Sequence, residues 1–284
     1  MRTLAVLALF ALGHGAAAQA PQQTGLLVMA HGGDAAWNQA VLEAVSPLRD
    51  TIPTSVAFGM ADPVTLQTAV DSLEAQGVGR IVVVRLFMSP ESFRHATEYA
   101  FGLRLDAPAE AAHGNSHQQL RLAVPVSIGE QGLLDATGLG GILADRARLL
   151  SQDAANETVI LLGHGPADDS ENEMWIRRME EMADQIRKAV PFNRVVVNTL
   201  REDWTGKRKV VEEALRALAA SESAAGRTVI VIPFRLHGFG PYAEVFEGLE
   251  YRADSLGFLP DSANRITDWI RAQYEGLVRA GSNN

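Results

Sequence analysis

The sequence predicts an α/β protein of two similar lobes, each a parallel sheet flanked by helices. Three observations carry that expectation. The strand-like runs are apolar without interruption, the pattern of strands covered on both faces. They alternate with stretches of helical spacing. The plan then occurs twice: Glu98, Gly102 and Leu103 are matched by Glu244, Gly248 and Leu249 at a constant offset of 146, and Phe93 by Phe239.

The elements follow in order. Residues 25–30 form a first apolar strand that stops at His31-Gly32-Gly33, and 34–48 have amphipathic spacing. Thr54–Phe58 reads as a second strand. Asp62 and Pro63 supply the N-cap and first position of a second helix, which Gly77 closes. Residues 80–87 form a third, β-branched strand, with helical spacing over 92–103. A strand over 120–126 and a helix over 133–150 lead to the second copy. There, a strand at 158–162 ends in Gly163-His164-Gly165 and a long helix covers 168–190. A strand at 195–198, a helix over 202–220 and a strand at Thr228–Phe234 complete the plan, and a Gly/Pro turn at 238–241 opens a further helix. The expected division is a signal peptide at 1–20, an N-terminal lobe at 21–126, a connecting helical region at 127–156 and a C-terminal lobe at 157–284.

Composition narrows the function. With 47% apolar and 21% charged residues among 284, the chain can bury a substantial core. It has no cysteine, which removes disulfides, thiolate zinc sites, iron–sulfur clusters and cysteine nucleophiles. Any metal must be held by His, Asp or Glu. The net charge of −9 argues against nucleic acid or an anionic membrane as partner. Arg2, an apolar stretch over 4–12 and Ala18-Gln19-Ala20 fit a cleavable export signal, too short to span a bilayer. The expected location is therefore the periplasm, with no stable membrane insertion.

Four histidines occupy similar places. His31 and His164 follow the first strand of each lobe, while His95 and His237 lie beyond each third strand, at the sheet edge where open parallel sheets bind ligands. Glu98 and Glu244 lie nearby. Imidazole with carboxylate suits a divalent ion such as cobalt, iron, nickel or zinc. His31 and His164 would alternatively be no more than strand-end residues in Gly-rich turns, but the same placement in both lobes favours ligation. Arg85, Arg94 and Arg235, at the third strands, suit either gripping ligand carboxylates or pairing with local acids. Asp168, Asp169, Glu171 and Glu173 fit a helix N-terminus, and Trp37, Trp175 and Trp204 read as packing residues. His113 and His117 fall in a polar connection that reads as a surface loop.

Competing motifs fail. No Gly-x-Ser-x-Gly elbow accompanies His31-Gly32-Gly33, and Gly206-Lys207 lacks the rest of a Walker A loop. Gly238-Phe239-Gly240-Pro241-Tyr242-Ala243 loosely fits a dinucleotide fingerprint but follows a third strand, not a first.

Over most of 24–279 the sequence resembles the class II chelatases, specifically the sirohydrochlorin cobalt/iron chelatase family. The resemblance rests on the run from Leu27 to Gly33, on Asp62-Pro63-Val64, Gln76-Gly77-Val78 and the third strand from Arg80 to Phe87. A second copy runs through Leu161-Leu162-Gly163-His164-Gly165 and from Val229 to Phe234. It implies a cleft between the lobes that holds a tetrapyrrole, and insertion there of a divalent ion, Co²⁺ or Fe²⁺ ahead of Ni²⁺ or Zn²⁺. It also implies that His31, His95, His164 and His237 bind metal or take pyrrole protons, with Glu98 and Glu244 in support. The chain would act as a monomer or homodimer. The alternative is an exported carrier of metal or tetrapyrrole without turnover, and metal-dependent hydrolysis stands behind both.

Overall fold

The computed structural model describes residues 23–108 and 118–282. The expected signal peptide and the connection holding His113 and His117 lie outside the described residues. In chain order the elements are β1 (Thr24–Ala30), α1 (Ala35–Val45), β2 (Thr54–Phe58), α2 (Pro63–Ala75), β3 (Arg80–Leu86), α3 (Arg94–Ala100), β4 (Val126–Ile128) and α4 (Gly140–Leu150). The second copy continues with β5 (Glu157–Gly163), α5 (Asp169–Ala189), β6 (Arg194–Thr199), α6 (Thr205–Ala224), β7 (Thr228–Phe234), α7 (Tyr242–Val245), β8 (Tyr251–Ala253) and α8 (Arg265–Ser282).

Two four-stranded parallel sheets result, ordered β2-β1-β3-β4 and β6-β5-β7-β8. The central strands are apolar on both faces because both are covered: Leu26, Leu27, Val28 and Met29 are all fully buried, as are Ile160, Leu161 and Leu162. Each such side chain contributes about 1.5–3 kcal/mol on burial. The cap predicted at Asp62 and the helix start predicted at Asp168 both form, and Asp34 supplies a further cap. Asp34, Asp62 and Asp168 accept hydrogen bonds from Trp37, Val64 and Glu171 backbone N–H groups, satisfying donors that a helix start leaves free.

Three segments differ from expectation. Only Val126–Ile128 pairs with β3, because side chains of α2 take the backbone groups ahead of it. Gln67 accepts from Arg121 N–H and donates to Arg121 C=O, and Glu74 accepts from Ala123 N–H. The helix expected over 133–150 begins only at Gly140, after two 3₁₀ turns at Leu133–Asp135 and Thr137–Leu139. The helix expected over 92–103 is confined to Arg94–Ala100, with Gly102 left-handed at φ 69° beyond it.

The lobes also exchange helices. α8 returns to the first lobe, packing on β3 and α1, with Thr267 donating to Ala44 C=O at 2.6 Å and the Tyr274 hydroxyl to Thr24 C=O at 2.8 Å. α4, from the connection, packs instead on α5 and β7 of the second lobe. The inner faces of both sheets therefore belong to one hydrophobic core that runs through α1, α4, α5 and α8, with smaller clusters on the outer faces. The last helix of the second repeat thus belongs physically to the first lobe.

Candidate metal-binding cleft

Strand register places the site. Ala30 pairs with both Phe58 and Leu86, and Gly163 with both Thr199 and Phe234. In each sheet three strands therefore end level, and the loops beyond them share one edge. The two edges meet across a cavity of about 570 Å³, within the range of small-molecule sites. The first lobe lines it with His31, Trp37, Met60, Phe87 and Phe93, the second with His164, Glu202, Asp203, Trp204, Arg235 and His237.

The His-Gly pairs are built alike. His31 donates its Nδ1–H to Gly32 C=O at 2.8 Å, and His164 donates to Gly165 C=O at 2.7 Å. A carbonyl only accepts, so these bonds fix the proton on Nδ1 and leave the Nε2 lone pair as ligand or base. Both glycines are left-handed, at φ 84° and 77°. A Cβ on Gly165 would meet Thr199 Cβ at 2.6 Å, so no larger residue fits the turn. His237 donates its Nδ1–H to Leu259 C=O at 2.9 Å, giving a third histidine the same tautomer.

The second lobe adds acids. Glu202 and Asp203 follow β6, and the chain turns through a left-handed Arg201 at φ 58° to present them. Buried Arg201 ties this loop to the His164 turn through the carbonyls of Pro166 and Ala167 and through Asp169. His164 Nε2 lies 3.1 Å from Asp203 Oδ2 and 4.0 Å from Glu202 Oε2. A lone pair facing carboxylate oxygens is repulsive unless a cation lies between them, and a proton or a metal ion supplies one. Arg235 Nη1 donates to Glu202 Oε1 at 2.6 Å, which aims the carboxylate and leaves Oε2 toward His164. Behind it, the Arg235 guanidinium lies over the Tyr242 ring, 5.8 Å from its centroid.

The first lobe keeps only the counterpart of Asp203, Asp62, whose carboxylate caps α2 through Val64 N–H. Counting from the level strand ends, Ala61 stands where Glu202 does, and Ser89 where His237 does. Its wall is aromatic instead. Trp37 and Phe93 each lie 6.4 Å from the His31 ring, and Phe87 lies 5.4 Å from Phe93. Trp204 likewise meets the edge of His164 at 6.0 Å. Trp204 is therefore a cavity residue rather than the core packing expected of it, while Trp37, packed partly buried against the core, and buried Trp175 also line the cavity.

His31, His164, His237 and Arg235 come together, and the other expected residues do not. His95 sits on α3, nine residues past the end of β3 where His237 is three past β7, and its Nε2 is held by Asp106. It is no counterpart of His237 and does not line the cavity. Glu98 pairs with Arg94 and Arg104; burial opposes its charge, yet these cations hold its carboxyl below the usual range. Arg94 is occupied by Glu98, Glu91 and Glu130. Arg85 is almost wholly buried and donates only to the carbonyls of Gly129, Ser92, Pro90 and Glu130, fixing the loop that carries Phe93. Glu244 is exposed and paired with Arg208. Among the described residues, no three His, Asp or Glu side chains already converge as a preformed metal cage. Glu202 and Asp203 escaped sequence reading because acids beside a predicted helix start look like dipole partners. Their distance past the second strand was the usable signal.

No protein-family model matches the sequence, and no curated protein matches it. Solved structures do. SirB from Bacillus subtilis with Fe³⁺ superposes with a TM-score of 0.60 at 17% identity, covering 88% of this chain and 95% of SirB. The sirohydrochlorin chelatase SirB from B. subtilis subspecies spizizenii, in complex with cobalt, gives 0.53 at 15% identity, covering 89% and 96%. A multi-domain protein of Deinococcus radiodurans, structurally similar to chelatases but with two additional novel domains, gives 0.51 at 18% identity, covering 87% of this chain and 54% of its own. The fold is that of the class II chelatases. Among the described residues no helix is long and apolar enough to cross a membrane.

Proposed function

We propose that this protein binds a divalent metal ion in the cleft and inserts it into a tetrapyrrole held there, sirohydrochlorin or a related ring. The observation that carries the reading is that His31, His164 and His237 all line one cavity, each with Nδ1 engaged by a backbone carbonyl and Nε2 left for other partners. The metal is substrate here. His164, Glu202 and His237, with Asp203 beside them, offer borderline-to-hard donors that accept Co²⁺ or Fe²⁺ and equally Ni²⁺ or Zn²⁺. An unconverged donor set suits an ion that must be released. As the ion enters the ring two pyrrole N–H protons leave, and His31, on the opposite wall, is placed to accept them one at a time and pass each to solvent. The expected periplasmic location is part of this proposal; a mature N-terminus at Pro21 in the secreted protein would support it.

The test is Co²⁺ titration by calorimetry and visible spectroscopy. His164→Ala should weaken binding at least about tenfold, the size of effect typical of lost metal-site groups. His31→Ala should leave it within about twofold. Equal binding by all three proteins would refute the assignment of the metal to the second lobe.

A further inference from the structure

The charge of the cleft specifies its ligand further, on the premise that a tetrapyrrole is what it holds. A ring rich in carboxylates needs free cations around its edge. Among the described residues that line the cavity there is one cation, Arg235, against three acids, Glu171, Glu202 and Asp203. Arg235 is already committed to Glu202. The nearby bases are committed too. Arg85 serves backbone carbonyls, Arg94 serves Glu98, and Arg201 and Lys207 converge on Asp169. Outside the described residues the sequence offers few cations: 109–117 and 283–284 contain neither Lys nor Arg, and 1–22 contain only Arg2.

The opposite wall is lined by Trp37 and Phe93 around His31, with buried Phe87 packed against Phe93, a surface that rewards a flat apolar ring. We infer that, among tetrapyrroles, the cleft prefers a flat conjugated macrocycle with few carboxylates to one whose edge is lined with them. One wall stacks on the ring, and the acidic wall favours the incoming cation while repelling anionic substituents.

The test uses the full metal-free chain and quenching of tryptophan fluorescence, since Trp37, Trp175 and Trp204 border the cavity. The probes are deuteroporphyrin with two carboxylates, coproporphyrin with four and uroporphyrin with eight. Affinity should fall along that series, with deuteroporphyrin at least about tenfold tighter than uroporphyrin at low ionic strength. Raising the salt should narrow the gap by screening. Glu171→Gln should strengthen uroporphyrin binding about threefold and deuteroporphyrin, with a quarter of the charge, by less than about 1.5-fold. Uroporphyrin binding as tightly as deuteroporphyrin would overturn this inference and leave metal insertion standing. A gap indifferent to both salt and Glu171→Gln would overturn its electrostatic basis. If Co²⁺ binds but none of the three porphyrins does, both the inference and the tetrapyrrole part of the proposed function fall.

Discussion

Replacing Glu202 with glutamine removes one charge from the cleft and keeps the shape of the side chain. Arg235 Nη1 lies 2.6 Å from Glu202 Oε1, and only 10% of the Glu202 side chain is exposed. A hydrogen bond to a charged group is worth about 1.5–3 kcal/mol and a neutral one about 0.5–1.5, so the substitution costs about 1–2 kcal/mol. At about 2–4 °C per kcal/mol for a chain of this size, the melting temperature falls by about 2–8 °C. The same change removes the carboxylate oxygen that faces His164 Nε2, so Co²⁺ affinity falls at least about tenfold, or ~1.4 kcal/mol. Arg235→Met separates the two effects. It also lowers the melting temperature, because Glu202 loses its partner, yet it frees both carboxylate oxygens and leaves Co²⁺ binding equal or stronger. Calorimetry with Co²⁺ beside thermal melts reads both quantities. Co²⁺ affinity in Glu202→Gln within about twofold of wild type, with the fold intact, would refute this account of the second-lobe wall.

Further predictions concern the scaffold. Gly165→Ala forces a Cβ into a left-handed turn, at about 1–2 kcal/mol, and against Thr199 at 2.6 Å. Overpacking adds about 1–3 kcal/mol, so the melting temperature should drop by at least about 4 °C. Gly248→Ala, also at positive φ but with open space around its Cβ position, should cost only the conformational part and serves as the control. Glu157 opens β5 almost fully buried; burial alone would raise its pKa, but Ser151, the N–H groups of Gln152 and Asp153, and Arg252 lower it to about 2. A carboxyl lowered from 4.5 to about 2 contributes about 3 kcal/mol of stability above pH 4.5, lost as pH falls toward 2. Glu157→Gln should therefore be less stable at pH 7, with denaturant stability flatter between pH 5 and 2 than wild type. A parallel decline in both proteins would contradict it.

The parts of the fold that sequence reveals are those whose physics is local. Uninterrupted apolar runs announce β1, β3, β5 and β7, and the Asp-capped starts of α1, α2 and α5 lie within a residue of expectation. His31 and His164 were legible because a strand end followed by glycine is itself a local signal. α8 carries a local amphipathic pattern of its own, but its place is not local, because what docks it on the first lobe is Thr24 and Ala44, more than two hundred residues away. His95 was misplaced for a related reason. The repeat aligns at an offset of 146 through the helices, whereas the level strand ends Leu86 and Phe234 differ by 148, so one offset cannot map the loops between them. Arg85 and Arg235 look alike in sequence, but one lies within β3 and fastens a loop, while the other lies just past β7 and meets Glu202.

The most direct measurement is metal insertion itself: the full chain, Co²⁺ and a free-base tetrapyrrole in excess over protein, followed by the absorbance change of the ring. The account predicts more than one metallated ring per protein molecule, with turnover lost in His164→Ala through the metal and in His31→Ala with Co²⁺ binding preserved. Stoichiometric binding of metal or ring with no metallation beyond the uncatalysed rate would contradict it, and would make the cleft a site of carriage.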